Sequence, residues 1–387
     1  MKKQSLCGAK ILFCLPAIFV LLGILGACEV GEDEGAEKDP NNIAIMTWNM
    51  QALFDGVDDG NEYEEYRAEA GWSQEKYAGR ISVISKAIDG MATVPDIIAM
   101  QEIESARVVN DLASSLSKQG YGYTHFATCA GMSLGLGVLS RFPLLQAKAH
   151  SISINGDVAP RPMLEIRVSP GKARPAASTS QDAPESLVLF ICHWKSKLGG
   201  DAATEDLRRA SARVIIRRMR ELAEQEPALP VIIMGDLNEN YDEFYRRNGG
   251  AICALLPDDP WCAELTGFNG LDERSAELCA ELQKDFIILS KSKPPVTRHF
   301  SGQPISLYSP WAEMENGSYY YRNDWETIDH FLLSAQLFNG SGWDFANCMV
   351  VDNSAFVNSG GHPMAYNPRT GYGLSDHLPL LLFLKKN

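Results

Sequence analysis

The chain has no CxxC pair, and no histidine set sits near its cysteines, so a structural zinc clip is not indicated. It has no glycine-rich phosphate loop of the type kinases and NTPases use, which sets those classes aside. No repeat and no linker divides the sequence, so its greater part reads as one domain with room for a core that needs no disulfide support. After residue 25 there is no further long apolar run. Positive charge is also short: 35 Lys and Arg stand against 49 Asp and Glu, a net charge of −14. Such a surface repels polyanions on average. That lowers the case for a nucleic-acid enzyme without removing it, because a bound divalent cation and local arginines reverse the sign inside a cleft.

What is present begins with an export signal. Lys2, Lys3 and Lys10 precede and flank an apolar stretch over residues 11–25, which ends in Leu25-Gly26-Ala27-Cys28. The tetrapeptide looks like a bacterial lipobox, with cleavage before Cys28 and lipid on its thiol. The other reading, a transmembrane anchor, is weakened by the shortness of the run and by Pro16 and Gly23 within it. The expected organisation is a signal peptide over 1–27, an acidic flexible tether over 28–42 and a single domain over 43–387, exported and lipid-anchored to the cell envelope as a monomer. Loss of the signal removes three lysines and leaves a net charge of −17. Of the six later cysteines, Cys253, Cys262 and Cys279 cluster in a loop-rich stretch where export permits a bridge; their pairing is open. Cys192 ends an apolar strand-like run and reads as a buried thiol.

Strand-like runs occur at 43–48, 96–100, 134–140, 163–168, 187–192, 231–234, 286–289, 328–333 and 378–384. Helical patterns fall near 74–89, 106–119 and 203–225, which predicts mixed α/β layering. Residues 169–186 read as a long surface loop, and 241–284 as an irregular insertion that could overhang a cleft.

Five short motifs follow or end apolar runs: Thr47-Trp48-Asn49, Gln101-Glu102, Gly235-Asp236-Leu237-Asn238, Ile328-Asp329-His330 and Ser375-Asp376-His377. Oxygen-rich groups at strand ends are how a sheet gathers ligands for a hard metal in one cleft. Taken singly, each fits a turn or a helix cap just as well. In this order, and with Gly137-Val138-Leu139-Ser140-Arg141-Phe142-Pro143, His193-Trp194-Lys195-Ser196 and the run over 325–334, the sequence resembles the endonuclease/exonuclease/phosphatase superfamily from about residue 43 to the C-terminus. Pancreatic-type DNases, abasic-site endonucleases, neutral sphingomyelinases and inositol 5-phosphatases belong to that group.

The resemblance implies an α/β fold of two packed mixed β-sheets flanked by helices, a four-layer DNase-like sandwich, and metal-dependent hydrolysis of phosphate esters. It implies Mg²⁺ or Mn²⁺ at Glu102 and Asp376, with Asn49 in the metal shell or on the phosphate. His377 then serves as general base or as an electrostatic stabiliser, oriented by Asp329. Asp236 and Asn238 orient the attacking water, and His193 protonates the leaving oxygen or binds a non-bridging one. Ser196 is a hydrogen-bond donor to the same group, while Cys192 stands where the family often has Asn. Arg161 is a candidate phosphate clamp or an ordinary surface arginine.

His330 reads as structural, because strand alternation turns it away from Asp329. The arginines at 208, 209, 213, 217, 218 and 220 suit either a nucleic-acid path or the solvated face of an amphipathic helix. Tyr319, Tyr320 and Tyr321 offer rings for stacking. The expected substrate is nucleic acid or a nucleotide. A lipid phosphodiesterase of sphingomyelinase type or an inositol-phosphate phosphatase is the alternative enzyme, and a non-catalytic surface-binding lipoprotein the alternative of another class.

Overall fold

The computed structural model describes residues 39–154, 157–159, 161–170, 186–247, 253–258, 285–296 and 305–387. Residues 39–387 form a compact unit. The signal and most of the tether lie outside the described residues, as do Cys262, Cys279 and most of the 169–186 loop. Among the described residues no helix is long and apolar enough to cross a membrane.

Two mixed sheets form the body. In spatial order the first holds Trp343–Val350, Leu380–Lys386, Asn42–Leu53, Ile97–Ile103, Gly135–Ser140 and Tyr123–Ala127. The second holds Leu255–Pro257, Ile287–Ser290, Ser306–Tyr308, Asp329–Leu333, Val231–Asp236, Leu187–His193, Met163–Val168 and Leu144–His150. Central strands read as continuous apolar runs because both of their faces are covered. Alternate residues go to opposite sides. Ala44, Met46 and Trp48 face the layer containing α1 (Gln74–Asp89) and α2 (Ala106–Ser115), whereas Ile43 and Ile45 pack against the second sheet. Leu187, Leu189 and Ile191 share that inter-sheet core, while Val188 and Phe190 pack with Ala210, Val214 and Ile215 of α3 (Asp201–Gln225). The layers therefore run helix, sheet, sheet, helix, and each fully buried aliphatic side chain contributes about 1.5–3 kcal/mol.

The helices start where their caps direct. The Ser73 side chain accepts from the amide of Lys76, and that of Ser105 from the amide of Val108. The second helix is shorter than its pattern suggests; it ends at Ser115, and a separate 3₁₀ turn over Ser117–Gln119 leads to the left-handed Gly120. Several strands lacked a sequence signal, including Leu255–Pro257 and Ser306–Tyr308. Tyr123–Ala127 and Leu144–His150 are edge strands with largely exposed side chains, and Trp343–Val350, also at an edge, carries a register irregularity between Phe345 and Asn347. With one face in water, apolar residues are not required at every position. The described part of the 241–284 insertion comprises α4 (Glu243–Arg246) and the strand Leu255–Pro257, which extends the second sheet in parallel with Ile287–Ser290.

The arginines of α3 are largely committed to the fold. Arg208 is fully buried and bonds Asp201, Glu205 and Glu239 at 2.9–3.0 Å. Arg209 and Arg213 converge on Asp285, and Arg218 joins Glu165 to Glu221. Ion pairs thus engage Arg208, Arg209, Arg213 and Arg218, which reduces what the helix offers as a basic path.

Candidate active site

The inter-sheet faces of four strands deliver most of the polar cluster. Asn49 continues the 43–45–47 side of its strand, Asp236 the 232–234 side, His193 the 187–189–191 side, and Asp329 the side of Phe331 and Leu333. All four lie where the apolar packing between the sheets gives out, and all are at least nine-tenths buried. Asn49 Nδ2 donates to Asp236 Oδ2 at 3.0 Å, so one side chain ties the first sheet to the second.

Glu102 needs a different route. Simple alternation would turn it with Met100 toward the helix layer. Instead its φ is +63°, and the pairing register with Gly135–Ser140 shifts between Gln101 and Ile103. The neighbouring strand breaks register between Asn49 and Leu53, where Gln51 and Ala52 have φ of +49° and +54°. Bulges of this kind re-aim side chains. The Ala52 amide donates to Glu102 Oε2 at 2.7 Å, and Glu102 Oε1 lies 3.4 Å from Asn49 Nδ2 and 3.7 Å from His193 Nε2. Arg80, fully buried on α1, donates to the carbonyls of Met50, Gln51 and Ala52 at 2.6–2.8 Å and lies over the Tyr366 ring, holding the bulge from below. Gly235 is equally fixed: its φ is +129°, and a Cβ there would lie 2.0 Å from the Cys192 carbonyl oxygen.

His377 enters from a loop pinned by its neighbours. Ser375 Oγ donates to the Asn49 carbonyl at 2.6 Å, and Trp48 Nε1 to that of His377 at 2.9 Å. His377 Nδ1 meets Asp329 Oδ2 at 2.8 Å, and Ser318 Oγ donates to the same oxygen at 2.6 Å. The Tyr319 ring stacks on the imidazole at 4.5 Å. Burial opposes charge on His377, but the Asp329 carboxylate outweighs it, with help from Asp376 and Asp236, and raises the imidazole to about 10.

Its neighbours move in other directions. Burial lifts Asp236 to about 7 against the opposing charge of His377. Burial pushes His193 well below its ordinary range, and Arg161 and His377 add to this. His193 is therefore neutral, and its 3.5 Å approach to Asp236 is not an ion pair.

Asp376 is half-buried, and among the described residues no other residue's donor reaches its carboxylate. Burial raises it, and the negative charge of Glu102 adds to the effect. The positive charge of His377 opposes this rise, and two hard carboxylates close enough to repel one another suit a divalent cation. A second acidic group lies in a neighbouring loop, where one oxygen each from Asp59, Glu62 and Glu104 fall within 4.8 Å of one another.

The remaining candidates are placed as follows. Asn238, with φ of +52°, turns its amide to Asp236 Oδ1 at 2.9 Å and donates from Nδ2 to the Trp194 carbonyl at 3.1 Å. Arg161 donates to that same carbonyl and lies close enough to bias both His193 and Asp236. Ser196 stands outside the central cluster, beside Asn238 at the wall of an adjoining hollow. His330 bonds the Glu239 carbonyl at 2.8 Å on the α3 side, where burial holds it near 4, and Cys192 is a buried thiol pushed up to about 12. Arg80, Ser318 and the stacked Tyr319 were not singled out for these roles by sequence. Only Tyr319 carried a signal, as part of a tyrosine run.

This site lies on the fold shown by the family comparison. A model of the endonuclease/exonuclease/phosphatase family matches residues 44–247, and the chain belongs to that family. It is accordingly a hydrolase of the phosphoesterase class. Solved structures similar in fold include truncated Caenorhabditis elegans TDP2, at 13% identity over 89% of this chain and 98% of that one with a TM-score of 0.48. The human nocturnin catalytic domain with bound sulfate is 14% identical over 91% and 97%, with a TM-score of 0.49. The Bacteroides thetaiotaomicron mannosyl-6-phosphatase Bt3783 is 15% identical over 88% and 99%, with a TM-score of 0.46. No curated protein sequence matches the chain.

If the protonated form of His377 is the active one, its proton must persist across neutral pH, and kcat/KM should rise with Asp236 ionisation near 7 and fall toward 10. Asp329→Asn removes the charge that raises His377, so the alkaline limb should move to lower pH, and turnover should drop by about two orders of magnitude or more. A wild-type profile with no alkaline limb, or a limb that stays in place in Asp329→Asn, would contradict this assignment.

Proposed function

We propose that the protein is a divalent-metal-dependent phosphodiesterase acting on nucleotide-containing substrates. The observation that carries this reading is the convergence of Glu102, Asp376, Asn49, Asp236, His193 and the Asp329–His377 pair on one cleft. Glu102 and Asp376 would hold Mg²⁺ or Mn²⁺, which supplies positive charge against the phosphoryl oxygens. Asp236, poised near neutrality, accepts the proton of the attacking water, and Asn238 and Asn49 fix its orientation. The protonated His377 offsets charge developing on the phosphoryl group, its ring held by Asp329, Ser318 and Tyr319. Neutral His193 and Arg161 bind non-bridging oxygens from the facing strand end. Because so many α3 arginines are engaged in ion pairs, short nucleotidyl esters suit this surface better than long duplexes, and the substrate should show only a weak salt dependence.

A panel of nucleotide diesters, plasmid DNA, RNA, sphingomyelin and inositol phosphates, each with Mg²⁺, Mn²⁺ or EDTA, tests the reading. Hydrolysis of nucleotide diesters that is lost on chelation is expected. Activity surviving complete chelation and dialysis, or sphingomyelin cleavage with no nucleotide turnover, would overturn it.

We also infer a lipid anchor at Cys28, on the strength of the Leu25-Gly26-Ala27-Cys28 motif after an apolar run. Cys28→Ala should abolish lipid labelling in cells, and persistence of label and membrane attachment in that variant would refute the anchor.

A further inference from the structure

A hollow of about 450 Å³ opens beside the catalytic cluster, within the range of small-molecule sites. One wall is the loop after His193, with Ser196 and Leu198. The other is the hairpin of Tyr319–Tyr321 and Asp324–Glu326. Asn238 stands at its inner end, and Tyr319, already stacked on His377, places that end at the reacting centre. Arg322 and Asn323, both with positive φ, close the hairpin turn. Period-two alternation then sets Tyr319 and Tyr321 on one face, their rings near-parallel at 19° with centroids 6.1 Å apart.

Two large apolar surfaces remain in water here. Leu198 is 83% exposed and Tyr321 46%, with the Arg322 guanidinium 5.0 Å from the Tyr321 ring. The nearby charges of Lys197 and Asp201 are paired with Glu243 and with Arg208 and Arg247. The hollow thus offers ring faces and the aliphatic side chains of Leu198 and Ile328, flanked by the Arg322 cation and the Glu326 carboxylate. An acyl chain would meet the charges of Arg322 and Glu326, and a polyol would leave the rings uncovered. A planar heteroaromatic ring matches both walls, since every base has a face that stacks on an aromatic side chain.

We propose that this hollow is the nucleobase subsite, holding the base adjacent to the scissile phosphate against Tyr321 and Leu198. The assignment rests on the phosphodiesterase reading above and narrows it to substrates with a base next to the reacting phosphorus.

The test compares thymidine 5′-(p-nitrophenyl phosphate) with methyl p-nitrophenyl phosphate, which shares the leaving group but has no base. Wild-type protein should prefer the thymidine ester in kcat/KM. Tyr321→Ala should reduce that preference about tenfold or more, and Tyr321→Phe, which keeps the ring, should retain it. Equal efficiency on both esters in the wild type, or an unchanged preference in Tyr321→Ala, would overturn the subsite. Calorimetric binding of thymidine 5′-monophosphate against inorganic phosphate separates this from failure of the enzymatic reading. If neither ester is hydrolysed with Mg²⁺ or Mn²⁺, the phosphodiesterase reading falls; nucleotide binding that is tighter than phosphate and weakened in Tyr321→Ala still supports the ring subsite, and no difference in binding refutes it.

Discussion

Two sheets packed face to face must fill the space between them, and the active cluster forms where that filling stops. Ile43 and Ile45, Leu187, Leu189 and Ile191, Ile232 and Met234, and Phe331 and Leu333 close the inter-sheet layer with apolar side chains. Further along the same strand faces stand Asn49, His193, Asp236 and Asp329. A one-residue slip in any of these strands would exchange its polar cluster residue for a core residue, so the register that buries the core also aims the proposed chemistry. The Asn49–Asp236 bond marks the boundary where dry packing becomes a polar cleft.

Burial then does electrical work on the groups at that boundary. Carboxylates with little water around them resist ionisation, and imidazoles resist protonation, unless a partner of opposite charge is bonded to them. Asp236 and His193 lack a compensating partner and shift as burial directs, whereas His377 has Asp329 and shifts against it. Three side chains of ordinary chemistry thereby become a near-neutral base, a neutral hydrogen-bonding group and a persistent cation within one cluster. The buried Arg208 network with Glu205 and Glu239 fixes the turn that follows Asp236, and Arg80 fixes the bulge opposite.

Much of this was legible before any coordinates. The long apolar runs gave the central strands to within a few residues, and alternation correctly placed His330 away from Asp329. Alternation misplaces Glu102, because the positive φ at that residue is a backbone choice that no hydrophobic pattern records. Edge strands such as Leu144–His150 escaped for a related reason: with most of their side chains in water, they carry no periodic signal. Ser318 and Arg80 act on groups in other elements through buried hydrogen bonds, so nothing local to either residue announces its role. The arginine-rich helix misled in the opposite sense. Its charges are conspicuous in sequence, yet Asp285, Glu165 and Glu239, which neutralise several of them, come from distant segments.

The central claim is that Glu102 and Asp376 share one divalent cation in the inter-sheet cleft. Calorimetric titration of the chelated protein with Mn²⁺ tests it most directly, using Glu102→Gln, Asp376→Asn and, as a contrast, Asp59→Asn in the separate acidic loop. The account predicts that the first two substitutions each weaken Mn²⁺ binding at least about tenfold, as loss of a ligand should, while Asp59→Asn leaves that site intact. Wild-type affinity in both cleft variants, with binding lost in Asp59→Asn, would contradict it and move the metal to the cluster of Asp59, Glu62 and Glu104.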